Sequence, residues 1–263
     1  MKTENIFHQL FDLRAYIDQD LLNAWLSFQP AALEWFSDLS KETTKEGLES
    51  STARALSTGV RGEHGPVSLY DEWARRQVQR ITTHQALLAS LSTREGFEMW
   101  HRELADTLAR HWRKRVEANN EALKHQEGDA FLPVCAELSI AHRYKMVDLF
   151  VRFQRTRASA HPTLARACYE FGHIPLDRKS LAVLSEMVGG PALGKALSMG
   201  DVKTEKQYQT YQRYARAICA VSGGTPLLLD VFCWRSDVAK ALYTKKPRVE
   251  TRISRKRQAN KRK

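Results

Sequence analysis

Residues 139–151 read Ser139-Ile140-Ala141-His142-Arg143-Tyr144-Lys145-Met146-Val147-Asp148-Leu149-Phe150-Val151. Ser139 is a good N-cap, and Tyr144, Val147, Phe150 and Val151 recur at three- to four-residue spacing, so the stretch predicts a capped amphipathic helix. Lys145 lies near its start. A second stretch reads His173-Ile174-Pro175-Leu176-Asp177-Arg178-Lys179-Ser180-Leu181, with Asp177 where another helix should begin. A lysine and an aspartate delivered from two helix starts in a basic helical protein point towards chemistry on nucleic acid.

Outward from these segments the same helical period recurs. Phe7 to Phe28 carries apolar residues at helical spacing, and Pro30 is expected to interrupt or restart the chain, with a short helix from Pro30 to Leu39. Residues 40–66 are rich in Ser, Thr, Glu and Gly and are expected to form a loop. Ser68-Leu69-Tyr70-Asp71 resembles a cap with an acid three residues on and predicts a helix to about Ser90. Ser92-Thr93-Arg94-Glu95 starts the next, whose Phe97, Trp100, Leu104, Leu108 and Trp112 face a core. His161-Pro162 opens a helix that Gly172 closes, and Asp177 caps one through Val188. Thr204 begins a helix to Val221, and Thr225-Pro226 begins a last one ending near Leu242. There is no strand signal and no internal repeat. The expected fold is all-α, organised as acidic N-terminal helices and a loop (1–66), a helical domain (67–244) and a basic, disordered tail (245–263).

The net charge is +11 over 263 residues, and it is unevenly spread. The tail from Lys245 to Lys263 holds ten Lys or Arg against one Glu, a net of +9. Residues 1–72 hold six basic and twelve acidic side chains, a net of −6, which leaves +8 for residues 73–244. An acidic front, a basic body and a very basic tail form the footprint of a polyanion binder. No run of about 18 apolar residues occurs, so no membrane association is expected. The start of the chain carries no export pattern, which makes cytoplasmic location the expectation. Cys135, Cys168, Cys219 and Cys233 lie among apolar neighbours at spacings unlike those of zinc sites, and read as reduced core thiols. His101, Asp106 and His111 share no helix face at a metal-ligand spacing, so no metal is expected. The glycines from Gly59 to Gly65 lack the Lys-Ser/Thr ending and preceding strand of a nucleotide-binding loop. No cofactor is expected either.

The order of parts over residues 130–242 is specific. A capped helix bears Lys145, an apolar connection leads to Ile174-Pro175-Leu176-Asp177, a helix carries Tyr208, Tyr211 and Tyr214, and a last segment reads Pro226-Leu227-Leu228-Leu229-Asp230-Val231-Phe232-Cys233-Trp234. This order resembles the carboxy-terminal half of helix-hairpin-helix DNA glycosylases, in particular the 8-oxoguanine-glycosylase-like branch. The resemblance covers somewhat under half the chain. It implies that Lys145 is the candidate nucleophile and Asp177 the catalytic carboxylate. Two departures stand out: the Gly-x-Gly hairpin before Lys145 is replaced by Leu138-Ser139-Ile140-Ala141-His142-Arg143, and Lys145 and Asp177 are 32 residues apart, longer than is usual for that family.

Cleaving a glycosidic bond builds positive charge on the sugar, which a carboxylate beneath C1′ stabilises. A partly deprotonated amine can attack C1′ and form a Schiff base, and Arg143 and His142 are expected to lower the pKa of Lys145. Ser139, Arg143, Arg178 and Lys179 are the candidate DNA contacts, the free N–H groups after Ser139 replacing the hairpin. Tyr144, Phe232 and Trp234 are the candidate pocket for a flipped base. Each residue also has a plainer reading: Asp177 as a helix cap, Lys145 as a surface lysine, the tyrosines as core. The expected function is thus a DNA glycosylase, with lyase activity the lesser expectation, that excises an oxidised purine or a modified base of foreign DNA, as in antiviral defence. The alternatives are a non-catalytic DNA-binding protein on a glycosylase-like scaffold and, with least support, a protein-interaction module.

Overall fold

The computed structural model describes residues 17–37, 60, 65–156, 161–189 and 198–244. The expectations for residues 1–16, for most of the 40–66 loop and for the basic tail lie outside these residues. Among those described there are ten α-helices and no strand, the all-α fold expected. They are α1 Gln19–Ser37, α2 Pro66–Thr83, α3 Gln85–Ser90, α4 Arg94–Glu127, α5 Ile140–Thr156, α6 Pro162–Phe171, α7 Arg178–Met187, α8 Glu205–Ser222, α9 Pro226–Arg235 and α10 Asp237–Thr244. No single described helix is long and apolar enough to cross a membrane.

Two helices organise the packing. α4 is 34 residues long, about 50 Å at 1.5 Å per residue. Thr93 caps it by accepting from Gly96 N at 3.1 Å. Its stripe of Phe97, Trp100, Leu104, Leu108, Trp112 and Val116 is buried against α2 and α5. α9 is the second organiser, and every residue from Pro226 to Cys233 is buried. A helix apolar on all sides must be enclosed, and α1, α7, α8 and α10 enclose it. α8 and α9 meet at 94° across Gly223 and Gly224. Gly223 adopts φ +78°, which only glycine takes without strain, and a Cβ on Gly224 would lie 2.6 Å from the Trp25 ring.

α1 packs onto this second group. Its Trp25 is fully buried against Phe232 and donates to Ser222 Oγ at 2.8 Å. Residues 17–37 thus share one core with the helices beyond residue 66.

Several boundaries differ from expectation, each for a local reason. α1 runs unbroken through Pro30. Pro30 and Leu26 are exposed, so the carbonyl four residues back, deprived of its N–H partner, faces water. α2 starts at Pro66 with Gly65 as N-cap rather than at Ser68, because Pro at the first turn is already set to a helical φ. It stops at Thr83, where the Thr82 and Thr83 hydroxyls bond back to carbonyls of the last turn and His84 is extended. The last predicted helix is two, because Ser236 is extended and begins α10. Gly172 does close α6, but at φ −55°. Its requirement is space, since a Cβ there would lie 2.3 Å from Cys168 O. Cys168, Cys219 and Cys233 are buried as expected, whereas Cys135 is exposed.

Candidate functional site

The site forms where the N-termini of α5 and α7 approach the end of α9. Asp177 is the N-cap of α7. Its Oδ1 accepts from the backbone N–H of Lys179 at 2.8 Å and of Ser180 at 3.1 Å. Ser180 Oγ accepts from Asp177 N at 2.8 Å and donates to Pro175 O, closing a capping box. The other oxygen, Oδ2, faces Lys145 Nζ at 3.7 Å. Both side chains are nearly covered, at 13% for Lys145 and 11% for Asp177, and each keeps a small solvent-accessible surface. The cap therefore uses one oxygen and leaves the other to face the amine.

A second charged pair lies close to the first. Asp230 is fully buried in α9. Its Oδ2 accepts from Arg152 Nη1 of α5 at 2.5 Å, and its Oδ1 has no hydrogen-bond partner among the described residues. Burial pushes the Asp230 carboxyl up to about 6, and Asp177 adds to that while Arg152 and Lys145 oppose it. Asp230 carried no assigned role in the sequence. Its signal was a single charge inside an apolar run, which is costly unless it is paired. Arg152 offered no such signal.

At the rim, Lys179 Nζ sits 3.3 Å from the centre of the Trp234 ring and 5.4 Å from that of Tyr243. Burial lowers the Lys179 pKa, against the fields of Asp177 and Asp230. Trp234 is 42% exposed. Arg178 is exposed and donates to Tyr243 O at 3.0 Å.

The remaining expected site residues lie elsewhere or are engaged. Arg143 is paired with Glu205 and lies 3.8 Å from Asp106, so its charge is spent on carboxylates rather than offered to a phosphate or to Lys145. Ser139 does cap α5, accepting from His142 N at 3.3 Å, and its Oγ lies 2.7 Å from His142 Nδ1. Tyr144 is buried, with its hydroxyl on Glu205 and its ring stacked 4.1 Å from Tyr208. Phe232 is fully buried edge-on to Trp25 and Phe28. Neither ring presents a face to a flipped base, which leaves Trp234 as the exposed ring of the three. Residues 131–139 contain no helix, so a helix and hairpin do not precede α5. The connector is instead held by Asn120, whose side chain donates to Val134 O at 2.8 Å and accepts from Val134 N at 3.1 Å.

Behind the pair lies a buried polar network that spacing along the chain did not reveal, because its members are far apart in sequence. His101 Nε2 is 2.8 Å from Asp148 Oδ1, and the Tyr208 hydroxyl donates to the same oxygen at 2.8 Å. His173 Nδ1 is 2.8 Å from that hydroxyl, and His173 Nε2 is 3.0 Å from Glu98 Oε1. Burial lowers the His173 pKa. Burial also raises Glu98, but the hydrogen bond with His173 and the charge of Arg216, 3.1 Å away, outweigh it and bring Glu98 to about 2. Gln212 clamps Ile174 with bonds to its N–H at 3.0 Å and its carbonyl at 2.9 Å, fixing the connector that ends in Asp177.

Comparison with protein-family models, with curated proteins and with solved structures finds no match for the chain.

Proposed function

We propose that this protein is a DNA glycosylase acting through Asp177, with Lys145 beside it. The observation that carries the reading is the Lys145 Nζ–Asp177 Oδ2 approach of 3.7 Å, which joins two residues 32 apart in sequence at one partly open surface. Asp177 Oδ1 is held by two backbone N–H groups, so Oδ2 is aimed without freedom to turn away. Such preorganised charge is what a developing sugar cation requires.

The reaction breaks the C1′–N bond, whose electron pair leaves with the base. Water supplies the oxygen that bonds to C1′, and its proton passes to the departing base or to solvent. Asp177 stabilises the cationic sugar and orients the water. Lys179 and Arg178, at the positive N-terminus of α7, contact phosphate. Trp234 offers its exposed ring to the extruded base. Arg143 and the two buried rings, Tyr144 and Phe232, have no direct part.

The test is release of free base by the full-length protein from duplexes bearing 8-oxoguanine and, separately, from DNA with modified bases. Asp177→Asn keeps the shape and most of the cap but loses the charge. It should lower release more than about a hundredfold, as loss of a transition-state electrostatic partner does, while DNA affinity stays within about threefold. Equal activity in the variant reduces Asp177 to a cap. Salt-dependent DNA binding with no release from any substrate would instead favour the non-catalytic reading.

A further inference from the structure

The buried network behind the pair is one donor short. His101 of α4, Asp148 of α5 and His173 of the connector are each no more than 1% exposed. The Tyr208 hydroxyl lies 2.8 Å from both His173 Nδ1 and Asp148 Oδ1, and it has one proton to give. The other nitrogen of His173 lies 3.0 Å from Glu98 Oε1, an ionised carboxylate that only accepts, and 3.3 Å from Arg216 Nη1, which itself donates to Glu98. With the acceptor nearer, the ring proton of a neutral imidazole is placed on that nitrogen. His173 Nδ1 is then an acceptor, and two acceptors compete for one hydroxyl proton. Asp148 Oδ2, also buried, has no hydrogen-bond partner among the described residues. Buried acceptors without donors are costly, and a cation among them would satisfy all of them.

We propose that His101, Asp148 and His173 form a site for a divalent transition-metal ion of the Zn²⁺ class. Their ligating atoms lie within 4.8 Å of one another. Around Zn²⁺ at roughly 2.0–2.1 Å, tetrahedral neighbours are about 3.3 Å apart, so the side chains close in by about 1.5 Å at most. Two imidazole nitrogens and one carboxylate oxygen suit Zn²⁺ better than Mg²⁺ or Ca²⁺, which prefer oxygen alone. Glu98 on the remote nitrogen of His173 is the carboxylate that fixes the tautomer of a metal-bound histidine. The Tyr208 hydroxyl or a water completes the fourth position. Glu98 and Arg216 are each 25% exposed and border His173, which places the way in from solvent beside them.

The consequence is mechanical. The ion joins α4, α5 and the connector, and its ligands stand three residues after Lys145 and four before Asp177. It sets the separation of that pair without touching it. Binding of the ion depends on the fold alone and not on base excision.

Untagged full-length protein, first dialysed against EDTA, is titrated with Zn²⁺ by calorimetry and with Co²⁺ by visible absorption. One equivalent should bind, Co²⁺ should give the intense bands of four-coordinate geometry, and the melting temperature should rise by roughly 5–10 °C at a hundredfold excess over Kd. In long-range ¹⁵N spectra of the histidine-labelled protein, the rings of His101 and His173 should shift out of the nine present. His101→Gln and Asp148→Asn should each abolish stoichiometric binding. The proposal falls if the wild type binds no equivalent of either ion, if only other imidazoles shift, or if folded His101→Gln still binds one. Should both variants fail to fold, the wild-type ¹⁵N spectra decide alone.

Discussion

Asp177 divides its two oxygens between a backbone cap and an amine, and this division makes single substitutions informative. The variant Asp177→Asn retains an acceptor for Lys179 N and Ser180 N, so a large loss of activity would report lost charge rather than a frayed helix. Lys145 is separable by a different chemistry. Were it the nucleophile, borohydride would trap a covalent protein–DNA adduct, because reduction fixes the imine. With water as nucleophile no adduct should form, and Lys145→Ala should retain much of its base release. An adduct that disappears only in Lys145→Ala would overturn this. The aromatic residues of α9 give a contrasting pair. Phe232→Ala empties the space between Trp25 and Phe28 and should cost about 3–5 kcal/mol in a denaturant titration. Trp234→Ala, at a rim position, should cost far less stability yet weaken DNA binding, since base stacking contributes about 1–3 kcal/mol.

At the scale of elements, the connector before α7 decides where Asp177 points. Residues 172–177 form no helix but are buried throughout, so their backbone groups must find partners inside the protein. Gln212 supplies two for Ile174. Gln212→Ala leaves a buried N–H and a buried carbonyl unmatched and should destabilise by about 2–4 kcal/mol, at about 1–3 kcal/mol for each group partly relieved by water. Amide exchange should quicken at Ile174 and its neighbours. Unchanged exchange there would show that the capping box alone holds the segment. The helices themselves were legible because their signals are local: Ser139, Asp177, Thr204 and Thr225 all stand as caps where expected, and Thr93 caps α4 within the tetrad Ser92 to Glu95 expected to start it. The misplaced ends, at Pro30, Thr83 and Ser236, fall where solvent access or hydroxyl back-bonding overrides the simple rule.

For the whole molecule, the buried Asp230 makes stability depend on pH in an unusual direction. Its pKa in the folded state is about 6 against an ordinary 3.8, so the folded protein binds more protons between these values. Its contribution is favourable below about pH 4 and is lost as the pH rises through 6. Asp230→Asn removes this dependence. Relative to wild type, the variant should gain about 3 kcal/mol between pH 4 and pH 8, from about two units at 1.36 kcal/mol each, read from denaturant midpoints. His111 acts with the opposite sign. Burial lowers its pKa below the ordinary 6.5, so its contribution is present above 6.5 and is lost as the pH falls through the lower folded value. The charge distribution yields a further expectation. Deleting residues 245–263 should flatten the salt dependence of DNA binding, by about 0.9 in log–log slope for each phosphate no longer neutralised, without removing catalysis. An unchanged slope would mean that this segment does not touch DNA.

Sequence alone was enough for the all-α class, the caps, the aromatic stripe of α4 and the two segments bearing Lys145 and Asp177. All of these are properties of neighbours within about a turn, where periodicity and capping chemistry act. Tertiary packing was needed to show that Lys145 and Asp177 meet, that Arg143 is taken up by Glu205 and Asp106, and that Tyr144 and Phe232 are core while Trp234 is exposed. It alone placed Asp230 beneath the pair and gathered His101, Asp148 and His173 into one buried cluster. Those outcomes depend on which face of each helix meets which neighbour. Residues 47 and 25 positions apart in the chain carry no local mark of such a meeting.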